Sequence, residues 1–198
     1  MNDSFLIPKQ SDGVNPTSRQ LCSPQTLAPR ERVITEAMSW LGTSFHFGGR
    51  VKISAHTNDR GQPCQAAAQG CFALHGCVDC AQFIAAVYEA CDVFKAEDYG
   101  FFGPDWHMNT SEEHYKYRLL RHAAQLPTSK TPQPGDIALV KSGEGVKVFS
   151  AGGIVLQWPL LIHACPKRGI AISSADLDPL WMGWEKEFFD PFALVPAQ

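Results

Sequence analysis

The stretch CVDCAQFIAAVYEA, Cys77 to Ala90, decides how this chain is read. Cys80, Phe83, Ile84, Val87, Tyr88 and then Cys91 recur at the spacing of one helix face, which predicts a buried helix beginning at Cys80. Asp79 stands where an N-cap belongs, so Cys80 falls in the first turn. A thiol placed there meets unpaired backbone N–H groups and the positive end of the helix dipole, both of which favour a thiolate. Its own N–H would point toward a developing oxyanion. The plainer reading makes Cys80 a core cysteine, as Cys91 on the same face is expected to be, and spacing alone leaves both open.

Outward from this helix the pattern changes twice. Upstream, Val33, Ile34, Ala37, Met38 and Leu41 predict a first helix from Glu31, closed by Gly42. Residues 1–30, rich in Ser, Pro, Asn and Gln, read as an extended N-terminal arm. Phe45 to Cys77 is interrupted by six glycines and prolines and reads as a long loop, with a short helix possible through Ala66 to Ala68. Downstream, Thr110 and Glu113 have capping-box spacing and predict a third helix over Ser111 to Gln125, followed by a linker from Pro127 to Pro134. Short apolar runs then predict strands at Ile137 to Lys141, Gly153 to Leu156, Leu160 to Ala164, Ile170 to Ser173 and Phe188 to Val195. Helices followed by closely connected strands describe an α+β domain, residues 31–198, in which N-terminal helices pack on a C-terminal antiparallel sheet.

Composition supports one globular domain: 198 residues, 44% hydrophobic and 19% charged. A net charge of −3 with no Lys/Arg cluster argues against nucleic acid as a partner. No stretch approaches the roughly 20 apolar residues of a membrane span, and Met1 to Gln20 lacks the apolar run of a signal peptide. The chain is therefore expected to be made in the cytoplasm and to need a delivery machine if its substrate lies outside.

Four separated motifs, in order, carry a family resemblance. RVITEAMSWLGTSFHFGGR at Arg32 to Arg50, CVDCAQFIAAVYEA at Cys77 to Ala90, PQPGDIALV at Pro132 to Val140, and GGIVL with LIHA at Gly152 to Leu156 and Leu161 to Ala164 resemble the NlpC-type papain-like cysteine peptidases. These are cell-wall hydrolases, some of them encoded with phage tails. The resemblance implies a papain-like fold in which Cys80 attacks an amide carbonyl. A histidine opening the strand after the Gly-Asp motif takes the proton, and His163 orients that histidine. The family's His-x-Gly-Ile-x-Leu reads here Ala151-Gly152-Gly153-Ile154-Val155-Leu156, so alanine occupies the base position.

Alanine accepts no proton, and loss of the base costs several orders of magnitude in rate. As written, the chain is expected to be nearly inactive: either a natural pseudoenzyme or a hydrolase whose histidine was replaced. Intact Cys80 and His163 favour replacement, since a decayed site usually loses several members. Ser150 is a poor base and is expected to point to the opposite strand face. A core histidine bonded to backbone is the plain reading of His163. The tyrosine that relatives often place in the first loop is matched by Phe45, which has no hydroxyl, leaving His46 or a backbone N–H to help hold an oxyanion. His56, His75, His107, His114 and His122 read as loop or helix-surface residues.

Seven cysteines cannot all pair within one chain. Cys64, Cys71, Cys77 and Cys80 lie near His56 and His75, but only Cys77 and Cys80 have zinc-knuckle spacing, and a metal there would consume the nucleophile. No metal or cofactor is expected. A Cys64–Cys71 disulfide, or one involving Cys77, suits an oxidising compartment, and a Cys77–Cys80 bridge would lock the site. The resemblance implies a peptidoglycan stem peptide as substrate, for example its D-glutamate–diaminopimelate bond, and action in the periplasm or cell wall of a target bacterium. It further implies a phage-tail lysin or a secreted antibacterial effector, the latter with an immunity protein. The alternatives are a catalytically dead binding or structural module, and a papain-like hydrolase of another amide or thioester.

Overall fold

In the computed structural model the described residues are 27–52, 76–95 and 105–193. The main sheet follows the helices as predicted, but three short strands intervene between the first two helices. Helix α1 (Pro29–Met38) leads to three two-residue strands, β1 (Ser44–Phe45), β2 (Arg50–Val51) and β3 (Cys77–Val78), which form a small sheet in the order β1-β3-β2. Helix α2 (Cys80–Ala90) and the short α3 (His114–Leu119) follow. A six-stranded sheet then forms from β4 (Ala124–Gln125), β5 (Ile137–Val140), β6 (Ala151–Gln157), β7 (Leu160–Cys165), β8 (Gly169–Ser174) and β9 (Lys186–Asp190). Its order is β4-β9-β5-β6-β7-β8, antiparallel throughout.

Period-two alternation explains how this sheet is buried on both faces. Ile137, Leu139, Ile154, Ile162 and Phe189 join Phe83, Ile84, Val87 and Tyr88 of α2 in the main core. Ala138, Val140, Val155 and Leu161 point the other way, against Trp181 and Ala175 of the segment that follows β8. Each large side chain so buried contributes roughly 1.5–3 kcal/mol.

The Pro-Gly-Asp motif couples helix to sheet. The Tyr88 hydroxyl donates to the Gly135 carbonyl at 2.8 Å, and Arg30 of α1 pairs with Asp136 at 2.7 Å and with Asp190 at 2.8 Å. The small sheet is tied on by Ile170 N–H donating to the Thr43 carbonyl at 2.8 Å. Gly169 permits this approach: its φ is +68°, and a Cβ there would lie 2.2 Å from the Thr43 oxygen.

Several boundaries differ from the sequence reading. Helix α1 starts inside the expected arm and ends at Met38, leaving Leu41 39% exposed. The long loop carries β1 to β3, short strands whose two-residue length gives no periodic signal. The helix expected over Ser111 to Gln125 is only His114–Leu119. Instead of closing a capping box, Glu113 accepts from Phe149 N–H at 2.9 Å and lies 3.6 Å from Lys141, while Ala124 and Gln125 pair with β9. The last strand ends at Asp190. The arm through residue 26, Cys64, Cys71 and the Ala66 to Ala68 segment lie outside the described residues. No helix among the described residues is long and apolar enough to cross a membrane.

Candidate active site

Helix α2 begins where its sequence says it should, because Asp79 ties two segments together. One carboxylate oxygen accepts from Gln82 N–H at 2.8 Å, capping the helix, and the other accepts from Gly48 N–H at 2.7 Å, fixing the preceding loop. Cys80 thereby opens onto a cavity of about 210 Å³. Phe45, Phe47 and Gly48 form one side of it, α3 contributes Tyr115 and Arg118, and the sheet end contributes Ser150 and Ala151. Cys80 and Ala151, far apart in sequence, thus face one space.

Backbone N–H groups of Gly152, Ala81 and Cys80 itself favour negative charge on the Cys80 sulfur. They do not prevail. Desolvation, followed by repulsion from the Asp79 carboxylate, pushes the thiol up to about 12. Burial and Asp79 thus outweigh the helix N-terminus. At neutral pH the protonated thiol is therefore the dominant form. A neighbouring cation could reverse the balance, but Ala151, which lines the same cavity, offers only a methyl group.

His163 lies behind the cavity wall. On β7 it stands opposite Gly153 of β6, and its neighbour Ala164, facing the other way, is the β7 residue that lines the cavity. The imidazole is fully buried, edge-on to Trp181 with ring centroids 5.6 Å apart, and desolvation lowers it to about 4. Its Nε2 is 2.9 Å from Ser173 Oγ, so a side chain is the partner at that nitrogen, and the backbone at Ala164 also favours the charged ring. Its Nδ1 has no hydrogen-bond partner, and neither has the buried indole Nε1 of Trp181. Ala151 is on the same strand face as Gly153, and packs against the cluster that contains Trp181. Two buried polar atoms, on rings that meet edge-on, are therefore without a hydrogen bond, which costs about 1–3 kcal/mol for each group.

Other expectations resolve residue by residue. Ser150 precedes β6 and does reach the cavity, but its hydroxyl accepts from Ser142 N–H at 3.3 Å. Phe45 lines the cavity, whereas His46 Nδ1 bonds the Phe47 carbonyl at 2.8 Å and His46 is not part of the lining. Cys77, Cys80, Cys91 and Cys165 are free thiols, with Cys91 in the core. His107 and His114, read as surface residues, line the cavity.

The sequence reading missed Tyr115. Its hydroxyl lies 2.7 Å from where a Cβ on Gly152 would be, beside the backbone N–H that faces Cys80. The strand register would have found Ser173, which stands two residues from the partner of His163 on a predicted strand. No local signal marks Tyr115, because α3 reaches the cavity only through tertiary packing.

No family model and no curated protein matches the sequence. Solved structures do. NlpC2 from Trichomonas vaginalis superposes with a TM-score of 0.50 at 12% identity, covering 84% of this chain and 49% of that one, so this chain spans about half its length. The NlpC/p60 domain of the peptidoglycan hydrolase SagA matches at 17% identity and TM-score 0.43, over 80% of this chain and 96% of that one. RipD from Mycobacterium tuberculosis, described as a non-catalytic NlpC/p60 protein adapted to peptidoglycan binding, matches at 13% identity and TM-score 0.45, over 82% and 97%. At such identities the likeness speaks to architecture. A capped cysteine helix laid on an antiparallel sheet, superposing on the T. vaginalis protein over most of its own length, gives this chain the NlpC/p60 form of the papain-like α+β fold.

Proposed function

We propose that this chain is the scaffold of a thiol-dependent peptidoglycan hydrolase that cleaves an amide of the stem peptide and lacks its general base. Cys80 is the nucleophile, position 151 the site of the base, and His163 the residue that orients it. The observation that carries the proposal is the orphaned Nδ1 of buried His163, on the strand paired with the one that opens at Ala151, which lines the cavity with Cys80.

With an imidazole at position 151, the Cys80 proton would pass to it as sulfur attacks the carbonyl carbon. Backbone N–H groups around the sulfur, together with the Tyr115 hydroxyl, are placed to receive the oxyanion. Collapse expels the amine, which takes the proton from the imidazolium, and water then releases the acyl group. Delivery to the periplasm or cell wall of a target bacterium by a phage tail or secretion machine, with an immunity protein in the latter case, belongs to the same proposal and is supported by the motif resemblance.

Ala151 favours one second reading, a binding module that holds stem peptides in the same cavity without cutting them. Restoring the base separates the two. Ala151→His, incubated with purified sacculi, is expected to release muropeptide fragments detectable by mass spectrometry, and adding Cys80→Ala should abolish release. Binding of sacculi by both proteins with no fragment from either would leave only the binding module.

A further inference from the structure

His163 ends a hydrogen-bonded chain that runs to the surface. Its Nε2 is 2.9 Å from Ser173 Oγ, and Ser173 Oγ is 2.7 Å from Asp178 Oδ2. Arg168 Nη2 reaches Ser173 Oγ at 3.1 Å and also pairs with Asp178 Oδ2. The direction of each bond follows from the donors available. A guanidinium only donates, and an ionised carboxylate only accepts. Asp178 is ionised: burial raises its carboxyl, but hydrogen bonds from Ser173, Leu180 N–H and Arg168 outweigh this and hold it below the usual range.

Ser173 has one hydroxyl proton, and Asp178 takes it. The lone pairs of Ser173 then accept from Arg168 and from His163, so the neutral imidazole carries its proton on Nε2. Nδ1 is left as a bare acceptor, and it is the atom without a partner. Strand pairing supplies the geometry. Gly153 is opposite His163, and position 151 is its diagonal neighbour on the same face, within reach of a long or aromatic side chain.

We infer that Ser173 and Asp178 are positioning residues that hold His163 in the one tautomer whose Nδ1 can accept an N–H from a side chain at position 151. The inference rests on the proposed hydrolase reading. A carboxylate in the orienting place would need no such help, since it accepts at either oxygen. A histidine accepts at only one nitrogen, and which one depends on what holds the other. With the acceptor fixed, an imidazole at 151 donates one N–H to His163 and turns its other nitrogen toward Cys80.

Ring-nitrogen NMR on the ¹⁵N-labelled chain at pH 7 tests this directly, with the His163 signals identified by their loss in His163→Gln. A proton on Nε2 and a bare Nδ1 are expected, with a mixture of tautomers in Ser173→Ala and the parent pattern kept in Ser173→Thr. A proton on Nδ1 in the parent, or an unchanged pattern in a folded Ser173→Ala, overturns the inference. In the Ala151→His background, Ser173→Ala should lower kcat roughly 10- to 100-fold with KM within about twofold, and Ser173→Thr should recover most of it. A loss confined to KM also overturns the positioning role. If Ala151→His cuts no peptidoglycan while the tautomer pattern holds, the hydrolase reading fails and the tautomer assignment stands.

Discussion

Gly153 stands directly opposite His163 across the β6–β7 pairing, and a Cβ on it would lie 3.0 Å from the His163 Cβ, 3.0 Å from the Ile162 carbonyl oxygen and 2.9 Å from Leu161 Cδ1. Two of those atoms sit at or next to the backbone and have little room to give. Gly153→Ala should therefore destabilise the fold by about 1–3 kcal/mol, despite the better strand propensity of alanine. Chemical denaturation checks this, and an unchanged or raised midpoint would mean that the imidazole has space to move.

Cys80 is held neutral because burial and Asp79 outweigh the surrounding N–H groups. Iodoacetamide should alkylate it slowly at pH 7, faster as pH rises toward 12, with Cys91 shielded in the core. Ala151→His should move the apparent pKa of Cys80 down by several units, giving an alkylation rate at pH 7 raised at least about 10-fold. A pH–rate profile unaltered by the substitution would show that position 151 does not communicate with the thiol.

Asp79 has two effects of opposite sign. Asp79→Ala removes the acceptor for both Gln82 N–H and Gly48 N–H and should cost about 1–2 kcal/mol in thermal or chemical unfolding. Asp79→Asn keeps a side-chain oxygen for the cap but removes the charge beside the sulfur, so it should lose less stability and leave Cys80 easier to ionise than in the parent. Equal alkylation profiles for Asn and parent would assign the raised thiol to burial alone.

The folded state holds His163 neutral with a pKa of about 4, while the unfolded chain protonates near 6.5. The unfolded state thus binds the additional proton between these values. The corresponding stability is present above pH 6.5 and is lost as pH falls to about 4, an effect of roughly 3 kcal/mol. Unfolding free energies measured across pH 4–7 should show this slope, and His163→Gln, which has no titrating ring, should flatten it. The same slope in the variant would place its origin in other groups.

Local patterns carried much of the fold. The helical spacing of six residues after Asp79, the Pro-Gly-Asp motif and the short apolar runs of β5 to β8 act over a few residues, so the helix bearing Cys80 and the antiparallel sheet were legible. Elements whose form depends on distant partners were not. Strands β1 to β3 are two residues long and exist through pairing with each other, and Glu113 left its expected capping role for Phe149 N–H and Lys141.

For the site, sequence alone determined the identity of the residues: a capped cysteine at a helix start, a histidine on the second strand of a hairpin, and an alanine that opens the first strand of that hairpin. Tertiary structure decided what those residues can do. It buried Cys80 beside Asp79 so that the thiol stays protonated, and placed His163 behind the cavity with one ring nitrogen on Ser173 and the other bare. It also brought Tyr115 and Arg118 to the cavity from a helix with no motif of its own. The physical reason is that helix spacing and capping are set by neighbours in the chain, whereas desolvation, proton placement and orphaned hydrogen-bonding atoms are set by whichever atoms the completed sheet leaves beside them.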